Sequence, residues 1–382
     1  VRKRVSDQDP QLYIYTGPPS QSDRVELLQN KLFTDFLSNG ISKRPLTTEI
    51  YYNSTKREWI LNAGGVYGVS KNWRGQPQRI PVYAQDDLLG YMSIAKIHAG
   101  YSMLKNDEDI DIIKRENYTS RIPSMLGTNL SVDISDIDPI DKEEMEMHVK
   151  EADNINIAGD GISADICVRS HPNGLFLSTW NDSKPLSALQ SGLDKASQVL
   201  QQLSTVKKWQ FVKNIRNTNN ELPQDCLSIE YRNGDEVKPF TDGFKFPVGE
   251  PFSLEVHNTL DQPLYLSSIY LSSLFEIMPL TREKVIQLEN TKPWVQRFNS
   301  VTPEPFIEEF NWPEEPLHIL FIASTEPFNI ELLIQAGLTP PSKIGYEERT
   351  RGLSFEPVAT SLDGWMTRIV RCVIPNLKYV EQ

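Results

Sequence analysis

Residues 248–280 read VGEPFSLEVHNTLDQPLYLSSIYLSSLFEIMPL, and this stretch decides the fold class. Phe252, Leu254 and Val256 alternate with Ser253, Glu255 and His257, the period-two pattern of a strand with one buried face. Residues 258–263 then gather Asn, Thr, Asp and Pro, which interrupt regular structure. The next run, 264–274, is rich in Leu, Ile, Tyr and Ser and reads as a more deeply buried strand. Two such strands joined by a short turn predict an antiparallel hairpin. A lone hairpin is not stable in water, so a second sheet is required.

The chain around it supplies the strands. Residues 226–231 predict one, Asn233-Gly234 has hairpin-turn chemistry, and 237–246 predict the return strand. Residues 294–298 and 306–310, bounded by prolines, read as short edge strands. Residues 317–324 (LHILFIAS) read as a buried strand, 328–336 as a short helix ended by Gly337, and 365–374 (WMTRIVRCVI) as a closing strand after the charged loop 346–352. Residues 217–382 are therefore expected to form an antiparallel β-sandwich-like domain.

Upstream the pattern changes. Residues 1–45 read as a polar linker and an amphipathic helix. In it, Asp23 and Glu26 have capping-box spacing, Val25, Leu28, Leu32, Phe33, Phe36 and Leu37 form one stripe, and Asn39-Gly40 closes it. Residues 46–105 carry short strands at 48–52, 58–62, 79–83 and 89–96, a spacing that predicts a small SH3-like β-barrel module. Residues 106–160 are acidic and read as a solvated, partly disordered insertion. Residues 161–216 read as a connector with a strand at 164–168 and a helix. The helix is carried by Leu186, Leu189, Leu193, Val199, Leu200 and Leu203 and runs on through Trp209, Val212 and Ile215. The fold class expected is mainly β with helices (α+β).

Composition excludes several functions. A net charge of −12 over 382 residues argues against nucleic acid, which needs clustered Lys and Arg. No apolar run approaches the roughly 20 residues of a membrane helix. The basic start, Val1-Arg2-Lys3-Arg4, precedes no apolar signal segment, and the chain reads as a piece of a longer cytoplasmic polypeptide. Cys167, Cys226 and Cys372 are too dispersed for a disulfide framework or a zinc site, and are expected to be reduced thiols. The four Asn-x-Ser/Thr sequons, at Asn53, Asn117, Asn129 and Asn181, read as chance matches in that setting.

Catalytic and ligand motifs fail on inspection. Gly64-Gly65 and Gly68 lack the Lys-Ser/Thr order of a phosphate loop and the following helix of a dinucleotide fingerprint, so they read as a tight barrel turn. Residues 133–138 alternate Asp with Ile and Ser, but Asp138 stands where a calcium loop needs Gly. Cys167 and His171 lie four residues apart on one predicted strand with no orienting group. His148 reads as exposed, and His257 and His318 as hydrogen-bonded strand residues. No catalytic, cofactor or metal residue is assigned, and no cofactor is expected.

Two stretches carry a resemblance. WILNAGGVYGVSKNWRGQPQRIPVY (residues 59–83), followed by LLGYMSIAKI, resembles the small β module after the protease domain of caspase-like cysteine proteases of fungi and bacteria. Its pattern is AGxxHGV, then F.VY, then LG, and Tyr67 here replaces the usual His. Residues 207–223, KKWQFVKNIRNTNNELP, leading into residues 248–280, are similar to a C-terminal region of unknown function in the same proteins, with the pattern G..f.l.v.N....plY. The matches cover about half of the chain. The resemblance implies a caspase-like endopeptidase as parent, with its catalytic domain upstream in cis as the partner. Neither the H-x-G-H motif nor the D-x-C-H/R/Q motif of that clan occurs here, and Asp165-Ile166-Cys167 and Asp225-Cys226 are too degenerate to carry the role.

The resulting expectation is a non-catalytic regulatory or protein-interaction region of such a protease. Two alternatives stand beside it. One is a self-standing β-sandwich module holding a peptide or glycan, in which Trp73, Tyr101 and Trp294 would matter. The other is an enzyme whose site assembles from dispersed residues.

Overall fold

The alternating runs of the first third close into a barrel. In a computed structural model, β1 (Thr47–Asn53) and β2 (Glu58–Leu61) are followed by a short ribbon, β3 (Asn72–Trp73) and β4 (Gln76–Pro77). Next come β5 (Arg79–Ala84), β6 (Asp87–Ile97), β7 (Ser102–Lys105) and β8 (Tyr118–Arg121). Strands β1-β2-β7-β6-β5-β8 form a closed antiparallel barrel, with β8 pairing back onto β1. The structure describes residues 47–379 apart from 74–75, 86, 122–128, 153, 160–162, 180–184, 193, 218–221, 281–282 and 342–363. The helix expected before residue 40 and the loop at 346–352 lie outside the described residues.

The expected acidic insertion is structured over most of its length. Its Tyr118 and Ser120 point into the barrel and complete it, with the Tyr118 ring 5.9 Å from Trp59. Further on, β9 (Leu130–Asp133), α1 (Pro139–Glu151) and β10 (Ile155–Ile157) make a parallel β–α–β unit. The alternation of Leu130 and Val132, and the i, i+4 spacing of Met145 and Val149, bury enough apolar surface to order it. Strands β11 (Ile166–His171) and β12 (Gly174–Ser178) extend that sheet to the order β10-β9-β11-β12.

The helix expected from Leu186 begins later, as α2 (Lys195–Lys213). Leu186 and Gln190 instead bond alongside β12 in extended backbone. Gly192, at φ +93°, separates the two conformations. The described helices include none long and apolar enough to cross a membrane.

The last third is a sandwich. Its strands are β13 (Leu227–Asn233), β14 (Glu236–Pro239), β15 (Phe244–Lys245), β16 (Phe252–Asn258) and β17 (Leu264–Leu271). Strands β18 (Ile277–Pro279), β19 (Ile286–Leu288) and β20 (Trp294–Phe298), helix α3 (Pro305–Glu309), β21 (Glu314–Ser324) and β22 (Trp365–Pro375) follow. One sheet has the order β14-β13-β16-β20. The other is β15-β22-β21-β17-β18, with β19 also on β17.

The expected hairpin is not formed. Strand β16 lies between β13 and β20, and β17 lies in the other sheet beside β21. The connection between them arches from sheet to sheet, so that Leu254 and Val256 face Leu264 and Leu266 across one core. Each strand has an apolar face to bury, and facing across a core buries both as well as pairing would.

Other expectations shift for local reasons. The turn after β13 uses Gly234-Asp235, one residue later than Asn233-Gly234, with Gly234 at φ +57° in the first central position. The strand expected at 237–246 divides into β14 and β15, which belong to different sheets. The edge strand expected at 306–310 is helix α3, whose Pro305 suits a first helical position. The helix expected at 328–336 is one 3₁₀ turn, Glu331–Leu333.

Sheet β15-β22-β21-β17-β18 is covered on both faces. On β21, Leu317, Ile319, Phe321 and Ala323 enter the sandwich core, while Leu320 and Ile322 join the core shared with the barrel and α2. Strand β17 divides likewise, Leu264 and Leu266 one way, Ile269 and Leu271 the other. Double burial is why LHILFIAS is apolar without interruption by alternate polar residues.

Candidate functional site

The residues of chemical interest meet where the barrel abuts the sandwich. The turn after β2 is built by close approach. A Cβ on Gly64 would lie 2.2 Å from the His98 carbonyl oxygen, and one on Gly65 would lie 2.3 Å from Cζ2 of Trp365 on β22. The Gly65 and Val66 N–H groups donate to the carbonyls of His98 and Ala99. Those of Tyr67 and Val69 donate to Gly64, that of Gly68 to Gly65, and that of Ser70 to Oε1 of Gln78. This run of amides is spent on the turn itself, which removes the donors a phosphate cradle would need. The tight-turn reading of Gly64-Gly65 agrees with this geometry.

His98, just past β6, and Glu326, just past β21, form a buried pair, with Nδ1 2.9 Å from Oε2 and both side chains about one-twentieth exposed. The Tyr101 hydroxyl donates to Oε1 of Glu326 at 3.3 Å, and its ring stacks on His98 at 4.2 Å and 11°. Burial, then the charge of Glu326, pushes the Tyr101 hydroxyl well above the ordinary phenol range. Lys56 donates to the same hydroxyl and lies over the ring. The other ring nitrogen of His98 faces Sδ of Met103 at 3.4 Å. Tyr67, at the position where the resembled pattern has His, donates to the Asn329 carbonyl across the same joint. The assembly therefore aligns barrel with sandwich, and its imidazole faces a thioether where a hydrolase would place a nucleophile.

Beside this joint is a cleft of about 290 Å³. Lys71, Lys96 and Arg216 contribute its cations, and Trp365 and Ala99 its apolar wall. Among the described residues that line it, the one carboxylate is Glu326, engaged by His98 and Tyr101.

The residues weighed from sequence are not gathered here. Cys167 is buried on β11 and its thiol is pushed up to about 11, chiefly by burial. His171, exposed at the strand end, accepts from the Asn173 N–H and lies four positions along the strand from Cys167, about 13 Å away. Cys226 is buried against Met366, its thiol also pushed up to about 11 by burial, and Cys372 is raised further.

His257 lies within 4.8 Å of Glu230 and Glu255 on the outer face of the sandwich. Those two carboxylates sit directly opposite one another in the β13–β16 register, an arrangement that repels. Arg232, 2.9 Å from Glu255, supplies the countercharge.

Of the three aromatics, Tyr101 belongs to the joint and Trp294 packs on the sandwich core from β20. The side chain of Trp73 lies outside the described residues. The His98–Glu326 pair left no mark in the sequence, because its members are far apart along the chain and neither sits in a spaced motif. No family model matches the chain, and no curated protein matches it.

Proposed function

We propose that this chain is a non-catalytic regulatory or protein-interaction region of a caspase-like cysteine protease, working in the cytoplasm. The observation that carries the reading is the state of the thiols. All three are buried and all three are pushed up by burial, and the hydrogen bonds of Cys226 and Cys372 go to Met366 and the Val370 carbonyl. A cysteine nucleophile needs the opposite environment, exposed and electropositive.

What the chain offers to a partner is surface. Strand β14 is exposed at every residue, and β20 ends its sheet with Val295 exposed. Such edges accept an added strand.

The test adds the chain in trans to a caspase-like catalytic domain and follows hydrolysis of a fluorogenic peptide. A saturable change in kcat/KM, lost when Val237 and Val295 are changed to Lys, is the expected result. Peptide hydrolysis by the chain alone, abolished by Cys226→Ser, would overturn the reading.

A further inference from the structure

The outer face of the sandwich carries a second cluster of reactive side chains. Strand β13 places Glu230 directly opposite Glu255 of β16, and His257 stands two residues beyond Glu255, so period-two alternation puts both on one face. The row across the four strands reads Pro239, Glu230, Glu255, Val295, with no cation opposite either carboxylate. Nε2 of His257 is 3.8 Å from Oε2 of Glu230 and 3.8 Å from Oε2 of Glu255. One ligand atom from each of the three residues lies within 4.8 Å of the other two.

These spacings suit coordination better than hydrogen bonding. At 3.8 Å neither carboxylate accepts from the ring. Nε2, though shut off from solvent, has no hydrogen-bond partner among the described residues. In a tetrahedral zinc site with bonds of about 2.0–2.2 Å, ligand atoms stand about 3.4 Å apart, so the two His–Glu spacings have only about 0.4 Å to close. An ion between them would also relieve the opposed carboxylates. Arg232 does this for one side: its Nε is 2.9 Å from Oε1 of Glu255 and its Nη2 3.3 Å from Oε2, whereas Nη2 is 4.0 Å from Oε2 of Glu230. The guanidinium thus holds Glu255 as an outer partner holds a ligating carboxylate. With the imidazole neutral, two carboxylates against one guanidinium leave one negative charge in excess.

We propose that Glu230, Glu255 and His257 bind a zinc ion, through one nitrogen and two oxygens, with the fourth position left to water. The donor set selects the ion. Imidazole suits zinc and its transition-metal neighbours, whereas calcium takes six to eight oxygens and magnesium a near-octahedral oxygen shell. Glu230 and His257 are each about one-third exposed, which gives the ion a way in. The proposal rests on this face of the sandwich and holds whether or not the parent is a protease.

The test is calorimetric titration of the whole chain, freed of metal by a chelator, with zinc chloride and separately with magnesium chloride. Zinc is expected to bind and magnesium not. His257→Ala and Glu230→Gln should each weaken zinc binding about tenfold or more, since losing a ligand costs at least as much as losing an outer partner. Zinc should also raise the thermal unfolding midpoint of the native chain and not of either variant, because an ion that binds only the folded state stabilises it. Circular dichroism without metal checks that both variants are folded. No heat on adding zinc would overturn the proposal. So would zinc binding that both variants leave unchanged, because the ion would then sit elsewhere. Magnesium binding as tightly as zinc would do the same, since it would mark attraction to negative charge without use of the imidazole.

Discussion

His318 is the residue on which pH acts most directly. It lies on β21 facing α2, with its ring 5.6 Å from Trp209, and its buried Nδ1 has no hydrogen-bond partner. Burial, then Lys213 and Arg371, lowers its pKa to about 4, against a small opposing effect of Asp242. Above about pH 6.5 the ring is neutral in both the folded and the unfolded chain. Between about 6.5 and 4 only the unfolded chain takes up the proton, so folding loses stability as the pH falls through that window. Glu276, Glu304 and Glu315 act in the opposite sense, because burial raises their pKa values in the fold and acid relieves that penalty. A variant separates the two contributions. His318→Leu keeps the carboxylates and removes the imidazole, so the urea midpoint of the native chain should fall relative to the variant between pH 6.5 and 4. Parallel curves would show that the histidine does not titrate as its surroundings require. Nothing in the sequence around His318 marks it, since its depressed pKa comes from α2 and β22, which are distant along the chain.

At the scale of elements, the sequence told where strands lie far better than what they pair with. Period-two alternation located β16, and the unbroken apolar run located β21, because both report burial directly. Pairing depends on how the connection turns, and Asn258-Thr-Leu-Asp-Gln-Pro263 is compatible with a hairpin or an arch. Asn258 decides for the arch. It is 4% exposed, its Nδ2 donates to the carbonyls of Gln262 and Leu288 at 2.7 and 3.0 Å, and its Oδ1 accepts the Leu260 N–H at 2.9 Å. The Asn of the pattern quoted for residues 248–280 is thus a fold residue, as are its Gly249 at φ +77° and its buried Phe252, Leu254 and Val256. Asn258→Ala strands two carbonyls and one amide, and should cost about 1–3 kcal/mol by urea unfolding. Asn258→Asp should be no better, since it sets a carboxylate against two carbonyl oxygens. An Asp variant as stable as the native chain would mean that the arch is held by its apolar strands alone.

The whole molecule depends on a core that belongs to neither module separately. Ile50, Leu61, Val82, Met92 and Leu104 of the barrel, Trp209 and Val212 of α2, and Ile269, Leu271, Leu320 and Ile322 of the sandwich form one apolar cluster. Barrel closure needs only local pairing, which is why β1, β2, β5 and β6 were readable from 46–105, while β7, which joins β2 to β6, and the closing β8 were not. The shared cluster was not readable, because it joins residues from distant parts of the chain and no periodicity reports which face meets which. Two modules with a common core should not melt separately. At their boundary the His98–Glu326 pair is buried, and removing one member leaves the other without its partner. Glu326→Ala should therefore cost about 1–3 kcal/mol, lowering the urea midpoint read from the barrel and that read from the sandwich by the same amount. Near-ultraviolet circular dichroism reports the Tyr52–Trp59–Tyr118 ring cluster of the barrel, and amide exchange in β13 and β16 reports the sandwich. If the substitution shifted the barrel signal and left the sandwich untouched, the shared core would not couple the two, and the joint would be a contact between independent domains.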